Sequence, residues 1–133
     1  MKDTLISGLS TTARIEVDSS RTIAFMGDDC RVYGSNWLVF DIEMTSRNFL
    51  LEHLDEGEDS VGTHITLDHM AATPLGMWVE VTVNITEVKG RMISIEFECR
   101  DELDAIAKGS HNRFIVDVAT TADRIRDKQA RAS

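Results

Sequence analysis

One long helix followed by four long strands is the feature that most constrains the fold of this chain. The stretch from Trp37 to Leu54 is typical of a helix of about five turns. The segments after it are typical of strands, and the clearest, 77–88, alternates β-branched and polar residues up to a tight Lys89-Gly90 turn. Nothing else in the chain can cover such a helix, so the pattern predicts an α+β fold with antiparallel strands curling around a central helix.

The remaining elements predict one domain spanning residues 1–133. Further strands are predicted at 11–17, 61–70, 91–100 and 109–118, and the second of these places Val61, Ile65, Leu67 and His69 on one face. An amphipathic C-terminal helix is predicted at about 120–131, capped by Thr120 or Thr121. A chain of 133 residues that is 42% hydrophobic and has one proline suits a single compact core.

Composition excludes several classes of function. The net charge of −9 disfavours duplex DNA and anionic membranes as partners. No segment approaches the ~20 apolar residues of a membrane span, and the first residues lack the apolar core of a secretory signal, so we expect a cytoplasmic location. Cys30 and Cys99 show no metal-ligand spacing, and Cys99 is predicted to lie in the core. We expect no metal.

Glu43 is the strongest candidate for chemistry. The polar stripe of the helix comprises Asp41, Thr45, Asn48 and Glu52, and Glu43 lies about 200° from Asp41 at ~100° per residue. The helix is therefore predicted to aim a carboxylate inward, where it must find a partner or a proton, as catalytic bases and nucleophiles do. The alternative is a glutamate at the rim whose carboxylate reaches water. Ser35 or Asn36 is placed to cap the helix start.

Two other side chains are candidates. His69 ends its strand on the apolar side, just before the Ala-Ala-Thr-Pro run at 71–74, where it could exchange a proton or could be a satisfied core residue. Arg113 shares a face of the last strand with His111, and could hold a carboxylate or phosphate or form a surface ion pair. No P-loop, GxGxxG, GxSxG or HExxH motif is present, which removes the commonest nucleotide-binding, α/β-hydrolase and zincin interpretations.

These residues also carry a resemblance. The runs GTHITLDHMAATPLGM at 62–77 and GSHNRF at 109–114 resemble hot-dog-fold thioesterases of the fluoroacetyl-CoA thioesterase family. In that family a hydroxyl residue at the helix start is followed by a glutamate eight residues later and a histidine 26 residues beyond it, and Ser35, Glu43 and His69 have this spacing. The hydroxyl is usually Thr in the family, and the aromatic gate ahead of the helix aligns near residues 28–30, Asp-Asp-Cys here. Specificity for fluoroacetyl is therefore not expected, and the acyl chain stays open.

The resemblance implies a hot-dog fold, a two-fold homodimer with active sites near its interface, and hydrolysis of a small acyl-CoA thioester without metal or other cofactor. It implies that Ser35, Glu43 and His69 are catalytic. Glu43 would attack the thioester or activate the attacking water, and His69 would protonate the leaving thiolate. Gly62, through its backbone N–H, and Arg113 would bind substrate.

A non-catalytic hot-dog module that binds an acyl-CoA, and a hot-dog hydratase, are the competing interpretations. Release of free CoA separates the first from an enzyme. The segment from Gly62 to His69 is predicted to be an exposed edge strand beside an apolar flank, and pairing with a second copy of the chain would cover both.

Overall fold

A computed structural model describes residues 1–132 of the chain. Within them the backbone forms a five-stranded sheet, a two-stranded ribbon and two α-helices. In chain order the elements are β1 (Ser10–Glu16), β2 (Thr22–Ile23), β3 (Val32–Tyr33), α1 (Ser35–Leu51), β4 (Glu58–His69), β5 (Trp78–Lys89), β6 (Met92–Asp101), β7 (Ala105–Asp117) and α2 (Val118–Ala132).

The large sheet is antiparallel throughout, with the order β1-β5-β6-β7-β4. The hairpin between β5 and β6 turns at Gly90, whose φ of 60° suits a residue without a Cβ. The alternation seen in the sequence of β5 is confirmed, because its four apolar residues Val79, Val81, Val83 and Ile85 are buried. The two edges of the sheet are β1 and β4, so β4 pairs with β7 on one side only.

The core lies between α1 and one face of the sheet, which confirms the α+β prediction. Helix α1 contributes Leu38, Ile42 and Leu50, all fully buried in one apolar cluster with residues of β5, β6 and β7. Cys99 is buried among them, as predicted. Burial of this layer is the main source of stability.

Helix α1 begins earlier than the sequence indicated, at Ser35 instead of Trp37, and ends at Leu51 instead of Leu54. The expectation that Ser35 or Asn36 caps it is wrong. Gly34 occupies the capping position in an extended conformation, its carbonyl accepts the N–H of Leu38 at 2.9 Å, and no side chain caps the helix. The hydroxyl of Ser35 is consequently available for other partners.

The prediction that Asp41 and Thr45 lie on an outer polar stripe is also wrong, because their side chains are 3% and 8% exposed. The segment before α1 folds back over Asp41. Tyr33 donates its hydroxyl to Asp41 Oδ2 at 2.5 Å, and Arg21 donates through Nε and Nη2 to the two carboxylate oxygens at 3.0 and 3.1 Å. Distant residues therefore supply the cover that helix periodicity alone could not reveal.

A β-bulge changes which residues of β4 face the helix. The pairing register with β7 shifts between Gly62 and His64, which inserts one extra residue into β4. Upstream of the bulge Ser60 is buried while Val61 is 41% exposed, and downstream of it His69 lies on the covered face. Val61 therefore does not share a face with His69, contrary to the prediction from simple alternation.

The C-terminal helix α2 is present close to the predicted range, but its cap is not Thr120 or Thr121. Asp117 Oδ1 accepts the backbone N–H of Thr120 at 2.9 Å and so acts as the cap. None of its side chains is fully buried. Neither α-helix of residues 1–132 is long and apolar enough to cross a membrane.

Candidate active site

Ser35 and His69 are in direct contact. Ser35 Oγ and His69 Nδ1 share a hydrogen bond of 2.7 Å. Ser35 is the first residue of α1 and His69 is the last residue of β4, so the start of the helix meets the end of the strand. The two side chains form a hydroxyl–imidazole pair that can relay a proton.

The Ala-Ala-Thr-Pro loop makes this contact possible. The backbone carbonyl of Thr73 accepts a hydrogen bond from the backbone N–H of Tyr33 at 2.8 Å, which connects the loop to the chain just before Ser35. The buried Thr73 hydroxyl donates to Asp101 Oδ2 at 2.8 Å, which ties the same loop to the end of β6. Val32 and Pro74 form an isolated bridge beside these bonds. The motif is therefore structural, and it fixes the distance between the helix start and β4.

The environment of His69 favours a neutral imidazole. Burial lowers the pKa of His69, and the backbone of Ala71 opposes part of that effect. Its Nε2 atom is buried and has no hydrogen-bond partner among residues 1–132. A neutral ring with one nitrogen bonded to Ser35 and the other unpaired can accept or deliver a proton when a substrate atom reaches it.

The carboxylate of Glu43 packs against Gly62 of β4. A Cβ added to Gly62 would overlap Glu43 Oε1, and would also come within 3.2 Å of His111 Cε1 and 3.4 Å of Arg113 Nη1. Only glycine allows this approach of helix and strand at the bulge. The structure therefore brings Glu43, Gly62 and Arg113 together, as three of the predicted site residues.

The Glu43 carboxylate has no hydrogen-bond donor in the described part of the chain. Its side chain is 38% exposed, and its nearest cation is Arg113, with Nη1 at 3.8 Å from Oε1. Glu43 therefore lies between the two predicted alternatives, an inward carboxylate and a glutamate at the rim. The stem of its side chain is covered, and its carboxylate oxygens reach solvent. Free lone pairs next to a positive charge suit a nucleophile or a general base.

Arg113 is held beneath this carboxylate by interior partners. It donates through Nε to Ser60 Oγ at 2.7 Å, through Nη2 to the Ser60 carbonyl at 2.8 Å, and through Nη1 to His111 Nε2 at 3.2 Å. His111 in turn donates from Nδ1 to the His64 carbonyl at 2.8 Å. Burial lowers the pKa of both His111 and Arg113. The substrate-binding role predicted for Arg113 is not tested by these contacts and stays a prediction.

The predicted site residues fall into two groups within one chain. The first group is Ser35 and His69, and the second is Glu43, Gly62 and Arg113. Eight residues separate Ser35 from Glu43, which is about 12 Å along a helix. Seven residues separate Gly62 from His69, which is about 20 Å along a strand. The two groups therefore lie at different points along α1 and β4.

Sequence reasoning missed His111 and Ser60 as members of the second group. Both are buried polar residues that contact Arg113. The signal that could have found His111 is its position two residues before Arg113, since alternate residues of a strand share a face.

Comparisons with known proteins bear on this arrangement. A family model described as FlK, fluoroacetyl-CoA-specific thioesterase, matches residues 17–119. The chain is 32% identical over 97 residues to the fluoroacetyl-CoA thioesterase of Streptantibioticus cattleyicolor, which covers 73% of this chain and 70% of that protein.

Solved structures give the same result for the fold. A Thermus thermophilus member of the thioesterase superfamily matches with a TM-score of 0.88 at 26% identity, covering 97% of this chain and 96% of that one. A mutant of the fluoroacetyl-CoA-specific thioesterase FlK matches with a TM-score of 0.88 at 28% identity, covering 96% and 99%. A hot-dog-like protein from Thermanaerovibrio acidaminovorans matches with a TM-score of 0.83 at 20% identity, covering 92% and 91%. The hot-dog fold expected from the sequence is confirmed.

Proposed function

The chain belongs to the fluoroacetyl-CoA-specific thioesterase family, and on that premise we propose that it hydrolyses small acyl-CoA thioesters to the free acid and CoA. It is a thioester hydrolase, and we place it in the cytoplasm as one hot-dog domain that works as a homodimer. The observation that carries the proposal is the Glu43 carboxylate, which lies against a glycine and beside a buried cation with its lone pairs free.

In the reaction we propose, Glu43 attacks the thioester carbonyl carbon, or removes the proton of a water molecule that does. The carbon–sulfur bond then breaks, and the thiolate of CoA leaves with a proton from His69, which the proton taken from the consumed water replaces. If Glu43 is the nucleophile, this water hydrolyses the anhydride formed between the acyl group and Glu43 and so releases the acid. Ser35 hydrogen-bonds the imidazole and the substrate carbonyl. A backbone N–H near Gly62 stabilises the negative charge that develops on the carbonyl oxygen. The net reaction consumes one water and releases acid and thiol.

A second copy of the chain resolves the separation of the two groups. The exposed edge of β4 carries Gly62 near one end and His69 at the other. An antiparallel pairing of β4 with the same strand of a two-fold partner, centred midway between these residues, sets Gly62 opposite the partner's His69. We propose that each active site combines Glu43, Gly62 and Arg113 of one subunit with Ser35 and His69 of the other.

Mixed dimers test this assignment. Glu43→Gln and His69→Ala homodimers are each expected to be inactive, because every site in them lacks one group. After unfolding and refolding of an equal mixture, about half of the dimers are heterodimers, each with one intact site and one doubly defective site, so activity returns to about a quarter of wild type. Complementation that stays at the background of the separate variants would overturn the trans assignment. Sedimentation equilibrium checks that the mixture is dimeric.

The activity itself is tested by following free thiol released from a panel of short acyl-CoAs. Hydrolysis of at least one of them by the wild type, and its loss in Glu43→Gln, is the expected result. Binding of acyl-CoA by the folded protein without turnover across the whole panel would favour the non-catalytic module instead. We propose no preference for fluoroacetyl, because Asp28, Asp29 and Cys30 occupy the region where the relatives are expected to carry an aromatic gate.

A further inference from the structure

Arg113 and Glu43 form an incomplete ion pair. Arginine and carboxylate side chains that meet without restraint form direct hydrogen bonds of about 2.7–2.9 Å, often two at once. Arg21 and Asp41 in this protein form two direct hydrogen bonds, at 3.0 and 3.1 Å. Arg113 Nη1 stops at 3.8 Å from Glu43 Oε1, beyond hydrogen-bond distance, although the two groups face each other across Gly62.

The other contacts of Arg113 explain this distance. Nε and Nη2 are bonded to Ser60, and Nη1 is bonded to the Nε2 atom of His111. His111 can accept that bond only as a neutral ring protonated on Nδ1, and its Nδ1 donates to the backbone carbonyl of His64, which fixes this tautomer. The guanidinium is thus held from two sides by groups that are themselves buried.

We infer that His111 is a positioning residue which, together with Ser60, restrains Arg113 so that its charge faces Glu43 while the carboxylate lone pairs stay free for substrate. The inference rests on the proposed use of Glu43 as nucleophile or base. A direct Arg–carboxylate pair would occupy those lone pairs and make the carboxylate a weaker base. The restraint keeps the positive charge of Arg113 close to Glu43, and it leaves the carboxylate oxygens free so that their basicity is not reduced by a direct hydrogen bond.

The other charges around Glu43 do not provide an alternative cation. Arg47, one turn further along α1, is paired with Asp59 of β4 through two hydrogen bonds of 3.0 and 2.6 Å. His64 of β4 turns its side chain to the exposed face and contributes its carbonyl to His111. From β7, only His111 and Arg113 face the carboxylate.

A matched pair of substitutions at His111 separates positioning from packing. The amide oxygen of Gln can take the place of Nε2 and accept from Arg113, whereas Asn can replace only Nδ1 and keep the bond to His64. Both remove the ring and both are polar, so a purely structural role predicts similar losses of stability and activity. Positioning predicts that Gln rescues and Asn does not.

In His111→Asn the freed Nη1 donor is expected to close on Glu43. We expect kcat to fall about 10-fold or more, and the acidic limb of the kcat/KM profile to move to lower pH. In His111→Gln we expect kcat/KM within about threefold of wild type and an unshifted acidic limb. Ser60→Ala removes the hydroxyl that accepts from Arg113 Nε. We expect it to shift the acidic limb of the kcat/KM profile in the same direction as His111→Asn, and it replaces that variant in the test if His111→Asn does not fold.

Carbon NMR of the Glu43 side-chain carboxyl, assigned with Glu43→Gln, gives a readout that does not require turnover. A titration midpoint at lower pH in His111→Asn than in wild type, with His111→Gln unchanged, supports the inference even if no acyl-CoA is hydrolysed. Equal losses in both variants with unshifted midpoints, or a shift to higher pH in His111→Asn, would overturn it. Absence of turnover in wild type would count against the proposed function alone.

Discussion

Two carboxylates on α1 show how one helix can carry both a structural and a reactive acid. Asp41 and Glu43 are two residues apart, and each has an arginine partner from another part of the chain. Asp41 is buried and accepts three hydrogen bonds from Arg21 and Tyr33. Glu43 is half-buried and accepts none from residues 1–132.

Both carboxylates have a nearby arginine, so the presence of a cation does not distinguish the structural role of Asp41 from the reactive role of Glu43. The number of hydrogen bonds that the carboxylate oxygens accept does. A carboxylate whose oxygens are all bonded contributes to folding, because its charge is compensated and fixed. A carboxylate with a nearby charge and free oxygens has little to hold it in place except its covered stem, and it remains available to react.

Glu43→Gln has the largest expected effect on activity. The amide has the same shape but cannot act as nucleophile or base, so kcat/KM is expected to fall at least ~100-fold while the unfolding midpoint stays close to wild type. Steady-state hydrolysis and urea unfolding measure the two quantities. Near-normal hydrolysis by the folded variant would eliminate the mechanism.

Asp41→Asn is the matched control on the same helix, and we expect it to lower stability while leaving activity nearly unchanged. Loss of the charge weakens the bonds from Arg21 and Tyr33 in a buried setting, and we expect the free energy of unfolding to fall by about 2 kcal/mol. The kcat value of the remaining folded protein is expected to change by less than about threefold. A folded Asp41→Asn protein that is as inactive as Glu43→Gln would break the contrast.

Gly62→Ala tests whether the close approach under Glu43 matters. The added Cβ would overlap Glu43 Oε1 and must displace the carboxylate. We expect kcat/KM to fall about 10-fold or more, with a smaller effect on stability, because the displaced group is half exposed. If a crystal structure of the variant shows Glu43 unmoved, the glycine is required for some other reason.

Ser35→Ala extends the contrast to the other group of the site. The change removes the bond to His69 Nδ1, and a hydrogen-bond helper of this kind is worth about 1–1.5 kcal/mol, or roughly 5- to 10-fold in kcat/KM. Ser35→Thr keeps the hydroxyl and is expected to be tolerated. A loss in Ser35→Ala as large as that of Glu43→Gln would assign Ser35 a more direct part in bond breaking.

The smallest expected effect is on the pH dependence of stability. Burial lowers the pKa of His69 and His111 in the folded protein below the ordinary value of 6.5, so the unfolded chain binds more protons near that pH. Their contribution is fully present above pH 6.5 and is lost as pH falls through the folded-state pKa values. Urea unfolding below pH 6.5 should show a falling free energy of unfolding, and His111→Gln should reduce the slope of that free energy against pH. A steeper slope in His111→Gln would contradict this.

Much of the fold follows from local pattern. The alternation in β5, with its tight turn at Gly90, identifies which side chains enter the core, because burial on one face of a strand requires a period of two. The burial of Cys99 follows from the same argument. The spacing of Ser35, Glu43 and His69 pointed to the chemistry through resemblance, and the family comparison confirms the thioesterase assignment but tests none of the three roles.

Other features depend on residues distant in sequence. Helix periodicity placed Asp41 outside, and only the return of Arg21 and Tyr33 over the helix buries it. Alternation along β4 predicted that Val61 faces the helix. The bulge between Gly62 and His64 places Val61 on the opposite face from His69, and this bulge is visible only in the pairing with β7.

The sequence by itself therefore determined the long elements, the apolar face of β5 and the residue types available for catalysis, since these depend on local periodicity and composition. Tertiary structure alone decided which carboxylate has satisfied oxygens and which has free ones. It also set the tautomer of His111 and the distance of Arg113 from Glu43, and it divided the site residues into two groups. These properties depend on hydrogen bonds and close contacts between residues far apart in the chain, and no local pattern encodes such distances.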